Sequence, residues 1–343
     1  MKILVSYTTD IGRFFFVAIA LFACPFAHAQ TSTLQLYGLI DEVVGNFKAS
    51  GDPSSVVGLM NGGQITSFYG IRGTEDLGGG LKAGFAVESY ILANTGQGGR
   101  YVGDALYSRN AYVEIASPYG LVRFGRQVTP LFYIMAKANP MGGSFRFSPL
   151  MTQTWIVGYG RTMLGDTGWD SAALYQSPSI LGVTFSVQAT APGNGTHNET
   201  ATLVYDHGPL YIAGVAQRVK TGLGVVAPIY RQDAYFLGAT YDFNYVRLYA
   251  SYTHTASFDF GIVNDTYHGG VSIPIGVSSL EFAYSRTNST REVGSIDAHR
   301  NTAGATFDYP LSKRTDVYVS YLYDKLSGTG TANSFGAGIK HRF

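Results

Sequence analysis

The chain is poor in cysteine, tryptophan and charge: one Cys, two Trp and 14% charged residues in 343. A disulfide scaffold needs several cysteines, so a stapled domain is excluded. A disordered acidic or basic chain would carry more charge and fewer aromatics than the 14% found here. Neither sign of charge dominates, with 24 Lys+Arg against 23 Asp+Glu, and this argues against a nucleic-acid partner. Beyond the N-terminal segment no stretch reaches about 18 consecutive apolar residues, so spanning helices are excluded. Length alone would accommodate two domains. What the chain has in quantity is glycine, 43 residues, with 25 Tyr and 21 Phe.

Residues 1–29 read as an export signal. Lys2 and Arg13 precede the apolar run 14–24, Pro25 ends it, and Ala27-His28-Ala29 offers a small-x-small cleavage pattern before Gln30. A lipoprotein signal ending at Cys24 is the rival reading, opposed by the bulky Phe22 and by Pro25. Residues 30–343 are then one exported domain. Lys2, Arg13 and Asp10 leave with the signal, so the charge balances, and Cys24 takes the last thiol with it.

The remaining chain alternates with period two. Val317, Val319, Tyr321 and Tyr323 share one face, and Asp316, Tyr318, Ser320 and Leu322 the other. Leu81, Ala83, Phe85 and Val87 likewise oppose Lys82, Gly84, Ala86 and Glu88. A soluble sandwich buries the apolar face in a core, whereas an outer-membrane barrel turns it to lipid and lines a wet lumen with the other. Aromatics near strand ends, an export signal and a terminal Phe343 favour the barrel.

Tight turns rich in Gly, Pro and Asp are expected near 75–80, 117–120, 177–179, 206–209, 242–244, 274–276 and 309–312. Longer polar stretches at 48–63, 93–105, 192–199, 220–232, 257–265, 288–300 and 326–333 read as loops. The turns at Pro118 and Pro178 stand much further apart than the rest, so an insertion near 131–168 is expected between strands five and six. Short turns alternating with longer loops predict a 16-stranded antiparallel transmembrane β-barrel with a long constriction loop.

Six segments then resemble the trimeric general porins of Gram-negative outer membranes, especially the betaproteobacterial, Burkholderia- and Neisseria-like branch. They are Leu36-Tyr37-Gly38-Leu39-Ile40-Asp41, the run 73–83, Arg109-Asn110-Ala111-Tyr112-Val113, Phe124-Gly125-Arg126-Gln127, the run 311–315 and the run 338–343. The resemblance implies passive diffusion of small hydrophilic solutes, a homotrimer in outer-membrane lipid and no enzymatic activity. It also implies that the barrel-assembly machinery reads Phe343 as its insertion signal.

Such porins set wall arginines against acidic groups on the third loop. The resemblance assigns Arg72, Lys82, Arg109 and Arg123 to the wall, and Lys137, Arg146, Arg161, Asp166 and Asp170 to the constriction loop. Phe68 and Gln176 stand where relatives are often basic, and Met141 where some carry a carboxylate. No Asp or Glu lies between Gln127 and Gly165. A positive constriction and an anion preference follow, unless the loop bases face away from the pore.

Catalytic, metal and cofactor sites find no support. The histidines are scattered, no Gly-x-Ser-x-Gly precedes a helix, and Gly78-Gly79-Gly80 lacks the Gly-Lys-Ser/Thr of a phosphate loop. His254 and His268 on one hairpin would be a metal pair only with further ligands. A substrate-specific sugar or anion channel remains an alternative, with Tyr90 and Tyr318 on the lumen parity. A surface adhesion or receptor barrel is the other.

Overall fold

Period-two alternation builds strands throughout the computed structural model, which describes residues 32–193, 195–227, 229–291 and 296–343. The expected export signal lies outside the described residues. Strand β1 (Ser32–Phe47) pairs with both segments of a divided β2, Val56–Asn61 along 42–47 and Phe68–Gly78 along 32–39. Strands β3 (Leu81–Leu92), β4 (Asn110–Ser117) and β5 (Gly120–Val128) continue the antiparallel meander. Two short helices, α1 (Pro130–Lys137) and α2 (Pro149–Trp155), occupy the long connection to β6 (Gly168–Gln176).

The second half runs through β7 (Val183–Thr190), β8 (Glu199–His207), β9 (Leu210–Val219), β10 (Gln232–Asp242) and β11 (Arg247–Ser257). It ends with β12 (Ile262–Ile275), β13 (Ser278–Arg291), β14 (Ile296–Pro310), β15 (Thr315–Leu326) and β16 (Thr331–Arg342). Strand β16 returns to β1, Leu39 opposite Arg342 and Asn46 opposite Phe335, so the sixteen strands close. Phe343 completes the seam: its N–H donates to the Gly38 carbonyl and its carbonyl accepts from the Gly38 N–H, both at 3.1 Å. A ribbon at Gln97–Gly98 pairs only with the end of β3 and does not span.

The outer face is apolar. Leu34 and Leu36, Val113 and Ile115, Val319 and Tyr321, and Phe335 and Ile339 are all exposed there. Their neighbours of opposite parity, such as Asp41, Glu88, Gln188 and Asp324, are buried on the inner side. This is the polarity of a barrel in lipid, with the ladder hydrogen bonds made between neighbouring strands.

All seven short turns fall where the sequence predicts them. Several polar stretches expected as loops are instead strand. Val56–Asn61 pairs with β1, residues 262–265 open β12, residues 288–291 end β13 and residues 296–300 begin β14. The misreading has a physical cause: Asn, Thr and Ser on the inner face do not weaken a ladder whose partners are backbone groups.

The connection 129–167 lies on the inner face. Thr129 caps α1 by accepting the Phe132 N–H, and Pro130 opens the helix. Leu131, Ile134 and Met135 then pack with Tyr211, Ala213 and Val215 of β9 and Ala234 and Phe236 of β10. The alternate residues Ile212, Tyr235 and Leu237 are exposed outside. Further along, Phe147 packs with Val43, Tyr318 and Leu322. Glycines make room for this approach. A Cβ on Gly304 would lie 2.6 Å from the Phe147 carbonyl oxygen, and one on Gly338 would lie 2.3 Å from the Tyr318 ring.

Candidate functional site

One quarter of the inner wall, from β2 to β5, carries arginines interleaved with aromatic rings. Arg72 donates to Gln35 Oε1 from Nε and Nη2 at 3.0 and 2.8 Å, and its guanidinium lies 4.6 Å from the Tyr37 ring centre. Arg109 lies 4.1 Å over Phe68 and pairs with Glu88, which also accepts from Tyr37 and Asn110. Arg123 lies 3.9 Å over Tyr112 and donates to Glu114 Oε2 from Nε and Nη2, at 2.9 and 2.7 Å. Phe68 thus serves as the surface on which Arg109 rests.

Lys82 stands apart from this cluster. It is exposed beside the 78–81 turn, opposite Asp76 and Ala116 in register, and enters no ion pair among the described residues. Gln176 closes β6 at the same end of the barrel.

The loop bases have three different settings. Lys137 pairs with Asp206 and lies 4.4 Å over the Tyr211 ring. Arg146 donates Nε to the Asn61 carbonyl at 3.0 Å and stands 5.3 Å from the Phe47 ring centre. Arg161 donates Nε to the Met163 carbonyl at 2.7 Å and Nη2 to the Gly165 carbonyl. Neither Arg146 nor Arg161 has a carboxylate within ion-pair distance among the described residues. Burial lowers both pKa values, yet a guanidinium stays charged at neutral pH.

The acids at the end of the loop are clamps. Asp166 accepts from Arg100 Nη1 and Nη2 at 2.6 and 2.9 Å and from Arg126 Nη2 at 3.0 Å, while Asp170 accepts from Arg126 Nη1 at 2.7 Å. Burial raises the Asp166 pKa, but the hydrogen bonds and charges of Arg100 and Arg126 outweigh it and hold the carboxyl below its usual range. Arg100 is also paired with Asp104, and its own pKa rises because both carboxylates overcome its desolvation.

A second anchor is buried and polar. Gln153 Nε2 donates to Thr302 Oγ1 at 2.7 Å, to the Ser285 carbonyl at 3.2 Å and to the Arg300 carbonyl at 3.4 Å; its Oε1 accepts from Thr287 at 2.5 Å. Near the loop tip, the Asp41 carboxylate accepts the Gln64 and Ile65 N–H groups at 2.7 Å each and the Tyr318 hydroxyl. Between loop and wall remains a cavity of about 600 Å³, reached by Arg146, Arg161, Phe47 and Tyr90.

Sequence reasoning missed Glu88, Glu114, Arg100 and Arg126. Glu114 was accessible, because the turn at 117–120 sets it opposite Arg123. Glu88 and Arg100 lie across or within a long connection, where no turn sets a register. His254 and His268 do not form a metal pair. His254 is bonded to Asp265 at 2.8 Å on the face of Tyr235 and Tyr252, whereas His268 is buried against Ser285. No group of three or more potential metal ligands occurs among the described residues.

A closed sixteen-stranded barrel with an apolar exterior, a charged inner wall and a loop folded onto that wall defines an outer-membrane channel. The chain belongs to the Gram-negative porin family, whose model matches residues 16–329. It is 30% identical to outer membrane porin protein 32 of Delftia acidovorans, over 94% of this chain and 92% of that protein. It is 28% identical to an outer membrane porin protein of Bordetella pertussis, over 92% and 96% respectively. Its fold matches an anion-selective porin from Comamonas acidovorans with a TM-score of 0.75 at 25% identity, covering 91% of this chain and 100% of the other. These betaproteobacterial relatives agree with the branch that the six sequence segments resemble. The protein is an outer-membrane porin, a passive route for small hydrophilic solutes.

Proposed function

We propose that this porin prefers anions, and that the preference comes from its third loop more than from its wall. The observation that carries the reading is the pair Arg146 and Arg161, both bordering the cavity and both without a carboxylate partner among the described residues. On the wall, Glu88 and Glu114 offset Arg109 and Arg123, whereas Arg72, bonded to a neutral glutamine, keeps its charge uncompensated. Lys137, Asp166 and Asp170 hold the loop in place, and Lys82 tunes the barrel mouth. A positive constriction raises the local anion concentration, and its donors replace part of the solute's hydration. The solved Comamonas porin described as anion-selective supports this sign. No catalytic step is involved.

The working form in this reading is a homotrimer in outer-membrane lipid, inserted by barrel-assembly machinery that recognises Phe343. An apolar outer groove bordered by Val44, Leu59, Phe307, Val319 and Ile339 supports an association through the face around β1.

Planar-bilayer recording across a salt gradient tests the sign. Wild-type protein should give conductance in triplet steps and a reversal potential directed toward the anion. Replacing Arg146 and Arg161 together by glutamine should reduce that preference. A cation-directed reversal potential would overturn the proposal.

A further inference from the structure

We infer that the cavity between the third loop and the wall is a binding site for small aromatic carboxylates, of which benzoate is the simplest. The inference rests on the reading of the lumen as an open, anion-preferring channel, and adds to it a class of solute.

Three independent features meet in this one place. The first is charge. Lys48, Arg100, Arg146 and Arg161 border the cavity against only Asp52 and Asp166, an excess of two positive charges. Asp166 is already engaged by Arg100 and Arg126, which leaves Arg146 and Arg161 facing the space without a carboxylate of their own. A guanidinium is a planar fork matched to the two oxygens of a carboxylate.

The second feature is aromatic surface. Phe47, Tyr90, Tyr101, Phe145, Trp155 and Tyr159 border the same cavity. Four of these rings also pack the loop against the barrel, and a planar aromatic solute can stack on the surface that the six present. Part of that surface already receives cations: Arg146 stands 5.3 Å from the Phe47 ring centre, and Arg100 stands 5.2 Å from Tyr90 and 5.6 Å from Tyr101. Acetate would use the cations and leave the rings idle. Benzyl alcohol would use the rings and leave two cations uncompensated.

The third feature is size. The volume, about 600 Å³, falls in the range of small-molecule pockets. Because the site lies on a transport path, its affinity should be weak, of about millimolar order, so that the solute can leave.

The test is single-channel recording at about 0.1 M chloride, where charges within a Debye length still interact, with sodium benzoate, sodium acetate or benzyl alcohol added to either side. Benzoate should interrupt the current at a half-blocking concentration about tenfold below those of acetate and benzyl alcohol. Arg161→Gln should raise the benzoate value by about tenfold. Tyr101→Leu, in an exposed loop, should raise it while leaving the response to acetate unchanged. Insertion into the bilayer as open channels reports that each variant has folded. Equal block by benzoate and acetate, equal block by benzoate and benzyl alcohol, or indifference of benzoate block to both substitutions would each overturn the inference. Selective benzoate block in a channel whose reversal potential shows no anion preference would sustain this site while refuting the selectivity proposed above.

Discussion

Glu114 lies directly opposite Arg123 across the β4–β5 hairpin and takes both of its forward hydrogen bonds on a single oxygen, at 2.9 and 2.7 Å. The wall arginine that the sequence offers as an anion attractor is therefore half of a neutral pair. Selectivity depends on which cations keep such a partner. Arg109 and Arg123 do, whereas Arg146 and Arg161 do not.

Removing the partner should release the charge. Glu114→Gln keeps the shape and a hydrogen-bonding oxygen while leaving Arg123 uncompensated. We expect the anion-to-cation permeability ratio to rise by about twofold at low salt and the gain to fade at high salt. Reversal potentials of wild type and variant at two ionic strengths measure this. An unchanged ratio at low salt would show that Arg123 does not face the permeating ions.

Gln153 fastens α2 to β13 and β14 through four hydrogen bonds inside the barrel. Gln153→Ala leaves Thr287 and Thr302 without that partner in a buried setting, so a loss of about 1–3 kcal/mol of loop anchoring is expected. The barrel strands do not depend on it. Current noise and spontaneous closures should increase with little change in the barrel's melting temperature. A large fall in melting temperature would mean that the loop is part of the barrel's own stability.

Asp166 supplies a pH dependence of definite sign. Burial works against its charge, but Arg100 and Arg126 hold its pKa below that of a free carboxyl. A depressed pKa stabilises the clamp fully above the unperturbed value of about 4, and this stabilisation is lost as pH falls through the lower folded value. Single-channel conductance should therefore hold steady from neutral pH down to about pH 4 and change only below it. Asp166→Asn should show the altered conductance already at neutral pH. If wild type and variant titrate identically, the clamp does not control the loop.

Deleting Phe343 removes two backbone hydrogen bonds to Gly38 and the ring packed beside it. The yield of inserted, heat-resistant trimer should fall, while the conductance of molecules that do insert stays at the wild-type level. Trimer yield measured by gel mobility and bilayer recording separate these effects, and an unchanged yield would exclude an assembly role.

The barrel was legible because its grammar is local. Gly, Pro and Asp at positions such as 117–120 and 206–209 specify turns, and period-two alternation specifies which side chains face lipid. Strand ends were less legible. Asn264 and Ser289 are polar because they bond to each other across neighbouring strands, and polarity is also the mark of a loop. The site was read only in part, since Arg109 and Arg123 declare themselves by parity while their partners are set by register. Glu114 follows from a four-residue turn, but Glu88 meets Arg109 only after the chain has passed through 93–109. The roles of Arg100 and Arg126 depend on where Asp166 returns, a matter of how the long connection folds and not of its composition.

The junction of Phe343 with Gly38 also bears on the order of events in biogenesis. Strand β1 waits for β16, so the sheet cannot seal until β16 is present. Until then two ladders of bare amide and carbonyl groups, on β1 and on the newest strand, oppose entry into hydrocarbon. A chain that lacked β16 would therefore stay an open sheet, unable to enter hydrocarbon and so never a leak in the membrane.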